Sequence, residues 1–182
     1  MAVMSQAELD SQLLDIPQPG RYLISPEHSA AVIRTRHLFG LGAVHAALDL
    51  RDGRIWVGET PESSAVHARF AVPSFQSGNG ARDAAVLSPR LLDAEAHPTM
   101  SFISTELAQA DHGWSLRGDL EVRGVSRLVE ARVTALHADG ATFRASAQAV
   151  IDRYDFGITA YRGLAARKLT VDLTVVAQRE RS

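Results

Sequence analysis

An alternation with period two, returning many times along the chain, is the feature that most constrains its fold. At 142–151, Phe143, Ala145, Ala147, Ala149 and Ile151 are interleaved with Thr142, Arg144, Ser146 and Gln148. Successive side chains of a strand point to opposite faces, so such a segment has one apolar face and one wet one. Comparable segments at 20–25, 30–37, 43–50, 54–57, 64–72, 98–105, 114–122, 127–135 and 168–177 bring the predicted strands to ten. Asp52-Gly53, His112-Gly113, Arg123-Gly124 and Asp139-Gly140 read as tight hairpin turns, because glycine accepts the positive φ they need. Many strands joined by short turns predict an all-β sandwich or barrel and argue against a βαβ arrangement.

Parity assigns the faces. Ala31, Ile33, Thr35 and His37 share one side of their strand, against Arg34 and Arg36. Val66, Ala68, Phe70 and Val72 oppose His67 and Arg69; Met100 and Phe102 point inward; Leu116, Leu120 and Val122 oppose Arg117, Asp119 and Glu121. In the last strand Leu169, Val171, Leu173 and Val175 oppose Thr170, Asp172 and Thr174. The inner faces are apolar and the outer faces wet, the reverse of a membrane barrel. Ala31, Ala68, Ala145, Ala147 and Ala149 are small for inward positions. A barrel of about eight strands is either filled by its side chains or left with room for a ligand, and small inward residues favour room.

The rest of the chain narrows the function classes. Its 182 residues suit one domain, and a formal net charge of −2 with no long basic run points away from nucleic acid. Cysteine is absent, which removes disulfides and thiolate chemistry. No apolar run is long enough to span a bilayer, and the first eighteen residues lack the pattern of a secretory signal, so a cytoplasmic protein without stable membrane insertion is expected. Ser5-Gln6-Ala7-Glu8 reads as a capping box, followed by Leu9, Leu13 and Ile16 at helical spacing and by Pro17. This predicts a helical extension over 1–18 ahead of a barrel domain over 19–182. Residues 78–97 carry two short helix-like pieces around Ser88-Pro89 and read as a functional loop or as a plug for one end of the sheet.

Catalytic signatures are weak. The seven histidines are scattered, with no close ligand pair, so no metal site is predicted. His37 alone is placed inward by parity. No serine has the setting of a nucleophile elbow, and Ser77-Gly78-Asn79-Gly80 lacks the lysine of a phosphate loop. Arg82-Asp83 and Asp155-Phe156-Gly157 read as structural pairs or turns. No cofactor motif is found and no catalytic residue is assigned.

Taken in order, several motifs resemble the YceI-like family of polyisoprenoid-binding proteins. They are Gly20-Arg21-Tyr22 with Pro26-Glu27-His28-Ser29, RHLFG at 36–40, SGNGARDAAVLSPRLLDAEAHPTMSF at 77–102, GDLEVRGVSRLV at 118–129 and IDRYDFGI at 151–158. The resemblance covers roughly residues 20–177. It implies an extended, eight-stranded, lipocalin-like antiparallel barrel with a long isoprenoid in an elongated pore. Ten predicted strands exceed eight, so some must be edge pieces or halves of one bent strand. The family often has histidine where this chain has Ala85 and Arg123, and paired aromatics where it has Leu91-Leu92.

The expected function is therefore binding, sequestration or transport of a long isoprenoid lipid, either a polyprenyl phosphate or a quinone type. Ile33, His37, Phe70, Phe102, Leu120, Phe143, Ala145, Ala147 and Val171 are the expected lining residues. The alternatives are a lipid-modifying enzyme using the inward His37, supported by Asp155 or Asp83, and an interaction module with a solid barrel. Beyond the lipid, the sequence leaves a homodimer open.

Overall fold

The computed structural model describes residues 15–37, 42–111 and 113–181, with the side chains of residues 36 and 37 outside that description. The capping box, Leu9 and Leu13 of the expected N-terminal helix lie outside it as well. Ten strands are present: β1 Gly20–Ile24, β2 Ala30–His37, β3 Gly42–Leu48, β4 Leu50–Val57, β5 Ala65–Ala71, β6 Thr99–Ala110, β7 Gly113–Val122, β8 Val125–Asp139, β9 Thr142–Asp152 and β10 Lys168–Arg179. All pair antiparallel in one sheet.

The ten strands make eight staves. β10 pairs with β1 through Tyr22↔Arg179 and Ile24↔Ala177, then with β2 through Ala31↔Leu173 and Ile33↔Val171. β1 and β2 are thus two halves of one stave, bent at the 3-10 turn Pro26–His28, where Pro26 removes a backbone donor. β3 and β4 are the halves of the next stave, broken at Asp49; β3 pairs with β2 and β4 with β1. The ladder runs on from β4 through β5, β6, β7, β8 and β9 to β10 and closes there, so the barrel keeps no free lateral edge along β1.

Three bulges explain where the observed strands depart from the alternation. The register shifts between Leu50 and Asp52, between Ser104 and Glu106, and between Val133 and Ala135. An extra residue on one strand flips the parity beyond it. Phe102 lines the interior before the second bulge and Leu107 after it; Val133 does so before the third and Leu136 after it. β6 and β8 therefore continue to Ala110 and Asp139, past the expected ends at 105 and 135. The expected turn at Asp52-Gly53 is likewise a bulged strand interior. Gly53 pairs with Ala68, and a Cβ there would lie 2.5 Å from the Ile24 Cδ1 atom, so close packing explains the glycine. Arg123-Gly124 does form a two-residue turn, with both φ angles positive at 54° and 73°.

Of the two helix-like pieces around Ser88-Pro89, the first is the α-helix α1, Gly80–Leu87; the second is a chain of turns. Asn79 caps α1 by accepting a hydrogen bond from the Arg82 amide at 3.0 Å. Residues 15–19 run along the opposite end without helical structure, and the Asp15 amide donates to the Leu136 carbonyl at 2.9 Å. Among the described residues, no helix is long and apolar enough to cross a membrane.

Candidate functional site: an apolar lumen

The inward faces enclose a cavity of about 570 Å³. Its lining runs from Ile16, Pro17, Pro61 and Trp114 at one end to Arg82, Tyr161 and Leu164 at the end that carries α1. One row can be followed by register across seven of the eight staves: Ala46↔Ile33↔Val171↔Ala149↔Ala131↔Leu116↔Leu107. Three of these seven are alanines, and the next row passes through Ala31 and Ala147. Small residues gathered on one wall leave it standing back from the opposite one.

Ile33, Phe70, Phe102, Leu120, Phe143, Ala145, Ala147 and Val171 all line this space. His37 closes β2, where its backbone pairs with Gly42; its side chain lies outside the described residues. The eight are not equivalent. Phe143 is 4% exposed and packs edge-on against Tyr22, ring centroids 4.9 Å apart, in a cluster with Ile24, Leu50, Ile55, Val57, Ala68 and Ala177. The other seven are only half-buried, although they point into the barrel. Inward residues that remain accessible are what a hollow interior produces. Phe102 is held against the wall by Gly118, where a Cβ would lie 2.5 Å from the ring.

The few polar groups are unevenly placed. Lining residues whose side chains carry a hydroxyl or a guanidinium are Thr35, Ser64, Arg82, Arg153 and Tyr161, and among the described residues the lining has no carboxylate. Of the five, all but Ser64 belong to the α1 end. There the Thr35 hydroxyl is buried with no hydrogen-bond partner among the described residues. Arg82 donates to the Ser77 hydroxyl at 2.7 Å, and that hydroxyl donates to Asp83 at 2.5 Å, so Asp83 is engaged in fixing the start of α1. Leu91 and Leu92 also face the lumen, and Arg123 donates to the Leu91 carbonyl at 2.8 Å, tying the β7–β8 turn to the segment after α1. Ala85 stands at the same end. The positions where the chain departs from the resembled family thus cluster there.

Arg153 is 6% exposed and, among the described residues, has no carboxylate on its guanidinium. It donates instead to the carbonyls of Ile158, Ala160 and Ala166, each at 2.8 Å, and of Ala165 at 3.2 Å. Burial pushes its pKa down, partly offset by Tyr154 and Asp152. The residue is a strut for the loop 157–166, whose turn begins at Gly157 with φ 73°. Sequence reasoning did not single it out, yet the signal was present: Ile151 points inward, and Arg153 follows two residues later. Among the described residues, no group of three or more His, Asp or Glu side chains is placed to hold a metal ion.

This architecture has relatives. Residues 22–178 match the YceI-like domain. A UPF0312 protein of Pectobacterium carotovorum subsp. carotovorum is 26% identical over 161 residues, covering 85% of this chain and 83% of its own. BcnA of Burkholderia cenocepacia superposes with a TM-score of 0.73 at 19% identity, covering 85% of this chain and 99% of that one. A polyisoprenoid binding domain from Saccharophagus degradans, implicated in plant cell wall breakdown, gives 0.67 at 13% identity, covering 90% and 100%. At these identities the two structural likenesses speak to the fold.

Proposed function

This chain belongs to the YceI-like family, and on that premise we propose that its barrel sequesters and carries a long isoprenoid lipid, tail inside and polar head at the α1 end. One observation carries the reading: a continuous apolar lumen of about 570 Å³ whose polar groups are concentrated at one end. Burying a methylene is worth about 0.8 kcal/mol, so each five-carbon unit contributes roughly 3–4 kcal/mol before ordering costs. The Thr35 hydroxyl, which has no partner among the described residues, supplies a hydrogen bond to a phosphate or quinone oxygen. The polyisoprenoid-binding relative supports the ligand class.

The test is native mass spectrometry of the purified protein with an added prenyl quinone and a polyprenyl phosphate, followed by organic extraction. A one-to-one adduct that returns its lipid chemically unchanged is expected. An altered lipid would make the protein an enzyme, and no adduct with either compound would make the barrel an interaction module.

A further inference from the structure

The loop that Arg153 holds at the α1 end has properties that a wall of the lumen does not require. Residues 156–171 contain no acidic side chain but include Arg162, Arg167 and Lys168, all exposed. Arg153, Arg162 and Arg167 gather around one ring: their Cζ atoms lie 5.0, 5.1 and 5.0 Å from the Tyr154 centroid. Of these, Arg167 pairs with Asp152 at 2.6 Å, and Arg162 has no carboxylate partner among the described residues. Arg90, from the segment after α1, sits 5.3 Å over the ring of Tyr161. The acids nearest the loop in sequence are Asp152 and Asp155, and Asp93 and Glu95 follow Arg90; the loop's own Arg153, Arg162, Arg167 and Lys168 outnumber Asp152 and Asp155 in a chain whose net charge is −2.

Apolar groups stand within this cationic rim. Leu164 is 51% and Tyr161 37% exposed, and both also line the lumen. Tyr161 adopts a left-handed backbone, φ 57°, a conformation that costs a non-glycine residue energy and persists where its surroundings enforce it. Here its carbonyl accepts from the amides of Leu164 at 3.1 Å and Ala165 at 2.9 Å, while Arg153 anchors the residues on either side. The loop thus presents an aromatic and an aliphatic side chain beside the lumen's end, with Arg90 over the Tyr161 ring and the exposed Arg162 next in sequence.

The geometry points to a membrane-docking surface: the loop 158–168 with Arg90 seats the α1 end of the barrel on an anionic phospholipid bilayer, where cargo enters and leaves. Peripheral binding of this kind combines shallow burial of aromatic and aliphatic side chains with attraction of basic residues to anionic lipid, without insertion of a spanning segment. The cargo step rests on the isoprenoid-carrier reading; the docking does not.

The test is co-sedimentation of the full chain, free of isoprenoid, with phosphatidylcholine vesicles containing or lacking phosphatidylglycerol. Binding to the mixed vesicles that weakens with salt is expected, with little to the neutral ones. R162E together with K168E should lower the partition coefficient by about thirtyfold or more. Y161S with L164S should lower it on the order of tenfold. R54E with R144E, an equal charge change on the outer wall away from this end, should alter it far less; thermal unfolding reports that each variant is folded. No binding to anionic vesicles, or loss shared equally by the control pair, overturns the proposal. Prenyl-lipid uptake from a detergent-free solution is measured on the same samples. Vesicle binding without uptake leaves docking standing and refutes the carrier reading, whereas uptake without vesicle binding does the reverse.

Discussion

Phe143 and Ala147 stand on the same face of β9, four residues apart, yet one is locked in a packed core and the other faces open space. At Phe143 the stave beyond β10 brings Tyr22 of β1 to 4.9 Å, and Ile24, Ile55 and Val57 complete the filling. At Ala147 the neighbours by register are Val133 and Leu173, and all three line the cavity. Alternation decides which residues point inward; the sizes of residues on opposite walls decide whether they meet. A barrel that packs one stretch and leaves another hollow gains stability from the first and capacity from the second.

The contrast can be broken by filling the hollow stretch. A147W, or A145W on the same wall, should abolish uptake of a long prenyl lipid. Excluding one isoprene unit alone implies a loss on the order of a hundredfold or more in native mass spectrometry titrations. Unchanged binding in both variants would remove the lumen from the account. Truncating the packed stretch should act on stability instead. F143A is expected to cost about 3–5 kcal/mol in equilibrium denaturation, the range for a large aromatic lost from a core. The matching change in the hollow stretch, F102A, should cost less, roughly 1–2 kcal/mol, because that ring is half-buried and already lacks partners on its lumen side. Equal costs would mean that the two stretches are packed alike.

The outer wall sets the smallest expected effect. Hydrogen bonds from Arg34 and then Gln148 hold the Asp172 carboxyl below the ordinary range, and Arg69 does the same for Asp52. A folded-state pKa lowered in this way contributes stability that is present above the unfolded value near 3.9 and lost as pH falls through the folded value. Both carboxylates are substantially exposed, so D172N should flatten the acid limb of the stability profile by only about a few tenths of a kcal/mol.

Much of the fold was legible because parity is a local property: two residues on, the same face returns. Ile33, Phe70 and Leu120 reach the lumen for that reason alone. What local pattern cannot carry is the pairing of β10 with first β1 and then β2, since that contact joins residues more than a hundred apart in the chain. The bulges at 51, 105 and 134 hide themselves differently, by breaking the alternation within a continuous strand. Each made a strand look finished or a turn look present. At the site, Arg153 escaped attention because an arginine after an apolar strand reads as a solvated charge. Its four carbonyl partners come from a loop whose path only the folded chain defines.

The central claim is that the hollow stretch takes up a chain of isoprene units. Its most direct test is a dissociation constant measured across prenyl quinones that share one head and differ only in tail length. The account predicts that affinity climbs steeply with each added unit and levels off once the lumen is filled, and that A147W loses this climb. Affinity independent of tail length, or equal for the head group alone, would contradict it.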